Sequence, residues 1–168
     1  MKYILYFFRR VLKSLGCLLL LLAILFEGWL IIAVRINEEP PVIREYTIES
    51  DKISSPVTLV LLSDLHGCDH PTLIDQVREI APDLILLAGD MINHKHETGE
   101  DILVTAAAVK ELCLIAPVYY SLGNHELARI GLHESDAVDR ITTEGAILLD
   151  QEYVDIEIRG NLIRLGGL

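Results

Sequence analysis

Residues 57–66 read Val-Thr-Leu-Val-Leu-Leu-Ser-Asp-Leu-His. An almost unbroken apolar run that stops at Asp64 and His66 predicts a strand buried on both faces, delivering two ligand-type side chains at its end. Two later stretches share the design: Leu84–Asp90 (Leu-Ile-Leu-Leu-Ala-Gly-Asp) and Val118–His125 (Val-Tyr-Tyr-Ser-Leu-Gly-Asn-His). In parallel α/β sheets a site forms where the carboxyl ends of neighbouring strands meet, so three such ends are expected to converge on one crevice. That crevice is the candidate active site.

Between these strands the spacing turns helical. Pro71–Ile80 puts Leu73, Ile74, Val77 and Ile80 on one face, and Asp101–Leu114 offers Ile102, Leu103, Val109 and Leu112 for packing. A third helix, Glu134–Glu144, precedes a short strand at Ala146–Leu149. This alternation predicts an α/β fold with a parallel sheet and right-handed crossovers. From Glu152 the pattern changes: Val154, Ile156 and Ile158 alternate with polar residues, Gly160-Asn161 makes a turn, and Leu162–Leu165 starts another strand. The sequence stops soon after, with no capping helix or polar tail. We therefore expect a fragment of a larger domain, with an open sheet edge through which chains self-associate.

Upstream, residues 1–14 carry Lys2, Arg9, Arg10 and Lys13, and residues 15–34 are apolar apart from Glu27. At about 1.5 Å per residue the second segment spans roughly 30 Å, enough for the hydrocarbon core of a bilayer. Its thirteen Leu, Ile, Val and Phe residues outweigh the one acid. Positive charge is denser before the span than after it, which predicts a single-pass membrane protein with a cytoplasmic N-terminus and an extracytoplasmic domain. A cleaved signal peptide is the alternative, although no small-x-small site follows the apolar block cleanly. Residues 35–56 are expected to be a proline-stiffened linker and a strand leading into the domain at Val42–Ser50, and residues 57–168 the domain itself. The net charge of −11 argues against a nucleic-acid-binding surface, which needs clustered Lys and Arg. Three widely spaced cysteines build no disulfide framework; Cys68 and Cys113 are expected as free thiols.

Singly, each polar strand end has a structural explanation: Asp64 or Asp90 caps a helix, His66 holds a loop carbonyl, Gly123-Asn124 forms a turn. Together they offer carboxylate, imidazole and amide groups to one crevice. That mixed set suits manganese, iron or zinc better than calcium or a thiolate-bound metal. Asp64-Leu65-His66, Gly89-Asp90 and Gly123-Asn124-His125-Glu126, in this order and at these intervals, resemble the calcineurin-like metallophosphoesterases. The resemblance covers roughly Thr58–Leu168, and the anchored arrangement is similar to membrane-anchored bacterial members. It implies an α/β/β/α layered sandwich, of which this chain carries the N-terminal part. It also implies a hydrolase with two divalent metal ions: Asp64 and His66 on the first, Asp90 bridging both, Asn124 on the second. His125 would lie near the scissile bond, while a metal-bound water attacks phosphorus in line.

Two departures stand beside the resemblance. The family's later His and its Gly-His-x-His block have no counterpart before Leu168. Asn93 occupies a position where some members have an Asp that orients the histidine. Among the other histidines, His94, with His96 beside it, is a candidate substrate contact. His70 is placed to line the mouth of the crevice, and His133 to lie on the surface. The expected substrate is a phosphoester, lipid-linked ones included. The rival reading is a non-catalytic, membrane-tethered remnant that binds metal or serves as an interaction surface. A nucleotide-binding domain lacks its Gly-rich loop ending in Lys and Ser or Thr.

Overall fold

No proline interrupts the sequence before Pro40, and in a computed structural model of the chain Lys2–Ile36 form one helix, α1. The structure describes residues 2–36, 42–93, 99–131 and 136–167. Within α1, Leu12–Leu30 is long and apolar enough to cross a membrane, a property that signal sequences near an N-terminus share. The chain from Val42 onward forms a separate compact unit.

In that unit the apolar runs become strands β1 (Leu59–Leu62), β2 (Leu84–Ala88) and β3 (Val118–Ser121), followed by the two-residue β4 (Ile147–Leu148). They lie side by side in sequence order, all parallel. The intervening helices are α2 (Leu73–Ile80), α3 (Glu100–Cys113), α4 (Asn124–Gly131) and α5 (Asp136–Thr142). Parallel neighbours joined by crossovers of one hand stack their helices on one face of the sheet. The core agrees: Val60, Ile85, Leu87, Val118 and Tyr120 are buried together with Val77 of α2, Val109 and Leu112 of α3 and Ile141 of α5.

The other face explains one correction. β1 was expected to be buried on both sides, yet Leu59 and Leu61 are 47% and 66% exposed while Val60 between them is buried. Helices cover only the face that carries Val60, and an apolar run does not by itself show that both faces are covered. A second correction concerns Val42–Ser50, which forms no strand and is exposed. Its alternation finds no partner strand, and an unpaired strand leaves its backbone groups to water.

The last two strands, β5 (Tyr153–Ile158) and β6 (Asn161–Gly166), pair antiparallel as a separate hairpin. Arg159 and Gly160 both take positive φ (50° and 77°), the backbone of a type I′ turn. The turn thus falls one residue earlier than expected, and Asn161 belongs to β6, where it is buried. Its side-chain oxygen accepts from Ser54 N–H and Oγ, and its amide donates to the Ser55 and Ile158 carbonyls. All three cysteines are free thiols; Cys113 packs against the core, and burial pushes its thiol up from the ordinary range.

Candidate functional site

Because β1, β2 and β3 run parallel and adjacent, the residues that follow them emerge along one edge of the sheet. The backbones that follow β1 and β2 are laced together, and the one that follows β3 is tied to them through side chains. Asp64, His66 and Gly67 N–H groups donate to the carbonyls of Gly89, Asp90 and Met91 at 3.2, 3.0 and 2.7 Å. This extends the β1–β2 pairing past the strands into the loops. Asp64, His66 and Asp90 all adopt left-handed backbone, with φ of 59°, 51° and 54°. Such a conformation costs a non-glycine residue about 1 kcal/mol or more and persists only where the surroundings enforce it.

Four of the five described candidate residues are brought together. His66 Nε2 stands 3.9 Å from Asp64 Oδ1, and the His66 and His125 rings lie 4.5 Å apart, tilted by 53°. Asp90 Oδ1 accepts the His125 N–H at 2.9 Å. The fifth, Asn124, opens α4 beside His125; its side chain is exposed and makes no hydrogen bond among the described residues. His94, His96 and His133 lie outside the described residues. His70 lines a groove of about 280 Å³ beside the site, together with Leu65, Cys68, Leu73, Met91 and Glu111.

Both glycines sit where the loops approach closely, and Gly89 in addition takes a backbone conformation that favours glycine. Gly89 has φ +86°, as a turn after β2 requires. Gly123 is needed for close approach: a Cβ there would overlap the Asp90 carboxylate and backbone nitrogen. Gly123 is also the N-cap of α4, since its carbonyl accepts from Leu127 N–H. It lacks the side chain that normally binds the first-turn N–H groups. Asp90, reaching across from the loop after β2, binds the His125 N–H instead.

Sequence reasoning missed what holds these loops. Glu126 is fully buried and accepts four backbone N–H groups: Gly123 and Asp90 on Oε2 at 2.8 and 2.9 Å, Met91 and Ile92 on Oε1 at 2.7 and 3.2 Å. The next N–H, that of Asn93, donates to Asp101 Oδ2 at 3.0 Å. Asp101 pairs with Arg129 at 3.0 Å, both almost fully buried, and Arg129 donates to the Asn93 carbonyl at 2.8 Å. A signal for Glu126 was present. A Glu three residues after a helix N-cap occupies the capping-box position and reaches back to the cap N–H.

The donor set suits a divalent cation. Among the described residues neither ring nitrogen of His66 has a hydrogen-bond partner, and Nδ1 is buried. The 3.9 Å between Nε2 and Asp64 Oδ1 is too long for a hydrogen bond but falls within the about 4.2 Å that two ligand atoms on opposite sides of one cation span. Among the described residues no three His, Cys, Asp or Glu side chains are already gathered around a common point. The geometry is therefore an open half-site that fits a cation without forming a closed cage.

A family model described as calcineurin-like phosphoesterase matches residues 57–161. No match was found among curated proteins.

Proposed function

Since the chain belongs to the calcineurin-like phosphoesterase family, a membership that suggests metal-dependent phosphoester hydrolysis, we propose that its strand-end crevice hydrolyses phosphoesters on a dinuclear metal centre. The observation that carries this reading is the convergence of three strand ends, two laced backbone to backbone and the third tied to them by Asp90, so that Asp64, His66, Asp90 and His125 lie close together. Asp64, His66 and Asp90 would hold one divalent cation, manganese, iron or zinc, and Asp90 with Asn124 the other. When bound, the pair supplies an activated water and neutralises phosphate charge.

The chain's own residues then have separate tasks. Asp90 has Oδ1 engaged by the His125 N–H, while its Oδ2 makes no hydrogen bond among the described residues. His125 presents its imidazole next to His66, where a ring N–H can pass a proton to the leaving oxygen; imidazole is suited to that task near neutral pH. The largely apolar groove beside Leu65 and Met91 supports a substrate with an apolar portion, such as a lipid-linked phosphoester. The α1 helix supports a membrane anchor, with the basic N-terminus cytoplasmic and the domain outside.

The test is manganese-dependent hydrolysis of an activated phosphodiester by the full chain, with Asp90→Asn as control. We expect turnover in the wild type and a loss of at least a hundredfold in the variant. Manganese binding without turnover would favour the rival, a tethered metal-binding remnant, and equal turnover in both proteins would refute the assignment of Asp90.

A further inference from the structure

We infer that Glu126 is the positioning residue of this site: its carboxylate sets the backbone of residues 89–92 and thereby aims Asp90 at the metal position. This rests on the reading of the crevice as a metal site.

Every acceptor position of Glu126 is used. An ionised carboxylate has about four lone-pair sites, and four N–H groups fill them, one from its own helix N-cap and three in succession from the loop after β2. A group that served only to cap α4 would bind Gly123 N–H and leave Asp90, Met91 and Ile92 to other partners. Instead the same two oxygens tie the start of α4 to the loop that carries Asp90. The backbone of Asp90 is then held from both sides, its N–H by Glu126 and its carbonyl by the His66 N–H. That grip maintains the left-handed conformation at Asp90. It also fixes the carbonyls of Asp90 and Met91, which receive the His66 and Gly67 N–H groups. One carboxylate therefore determines the relative placement of Asp64, His66 and Asp90 without approaching substrate. The Asp101–Arg129 pair continues the grip at Asn93, holding its N–H and its carbonyl together.

The decisive variant is Glu126→Gln, which keeps the size of the side chain but replaces one acceptor oxygen with an NH₂ that faces N–H groups. Supporting groups behind metal ligands typically change metal affinity by about 10–100-fold when altered. In calorimetric titration of the full chain with manganese, E126Q is expected to bind about 10–100-fold more weakly. Its far-UV circular dichroism should be unchanged, and its Asp90–Ile92 amides should exchange faster. Leu127→Ala, on the exposed side of the same helix, should bind as the wild type does. A folded E126Q with wild-type manganese affinity overturns the role. If E126Q does not fold, amide exchange in the metal-free wild type decides: protected Asp90–Asn93 amides support the preset loop, and freely exchanging ones overturn it. Absence of manganese binding by the wild type overturns the metal reading and this role with it. Binding by a wild type whose loop amides exchange freely overturns this role alone.

Discussion

The two ends of the parallel sheet are both fastened by polar side chains, but in opposite ways. At the carboxyl end, Glu126, Asp101 and Arg129 are buried and grip the backbone of residues 89–93. At the amino end, Asp83 binds the Thr58 N–H and the exposed Arg159 guanidinium, so that the turn of the β5–β6 hairpin docks beside the starts of β1 and β2. Buried charges hold a geometry tightly because leaving one unpaired is expensive, whereas exposed pairs trade their partner for water at little cost. The end that must present side chains at fixed positions uses the first kind. The end that only joins two pieces of chain uses mostly the second.

The sharpest way to break this comparison is Arg129→Ala. It leaves Asp101 buried without its cation, and removing one partner of such a pair costs about 3–5 kcal/mol. Urea denaturation of the variant should show a large drop in midpoint, with the bond from Arg129 to the Asn93 carbonyl also lost. A drop under about 1 kcal/mol, typical of exposed pairs, would erase the contrast between the two ends.

Asn161→Ala probes a buried polar group at the amino end. It removes the acceptor for Ser54 N–H and the donor to Ser55 and Ile158 carbonyls. Those backbone groups lie near enough to the surface for water to replace part of the loss, so we expect about 1–3 kcal/mol by the same denaturation. An effect equal to that of Arg129→Ala would mean that burial alone, and not charge, sets the rank.

The difference between the ends also governs what could be read in advance. Strands β1–β3 and the ligand-type residues after them were legible because apolar runs that end in Asp, His or Asn are a local pattern. The left-handed backbone at Asp64, His66 and Asp90 was not, since it is imposed by hydrogen bonds between loops 25 residues apart in sequence. Helix α4 was hidden because its N-cap is Gly123 and a capping carboxylate arrives from Asp90 in the loop after β2. The Asp101–Arg129 pair was not legible either, because its partners lie 28 residues apart and no local pattern joins them. The exposed side of Leu59 and Leu61 was missed for the converse reason: apolarity records that a face avoids water, and not which layer covers it.

The smallest expected effect, Asp83→Asn, sharpens the comparison through pH. The Thr58 N–H and then Arg159 hold the Asp83 carboxyl below its ordinary range. The unfolded chain therefore binds this proton more readily than the folded one. The resulting stabilisation is complete above the ordinary aspartate value of about 3.9 and disappears as pH falls through the lower folded value. Between neutral pH and about pH 5 the stability difference between wild type and D83N should be constant; below about pH 4 it should shrink. Asp155, held low by Arg164 in the same hairpin, keeps some acid sensitivity in D83N, so D83N with Asp155→Asn should be flatter still. If the gap between wild type and D83N instead widens in acid, the Asp83 carboxyl is not held below its ordinary range, and the docking of the hairpin turn owes nothing to its charge.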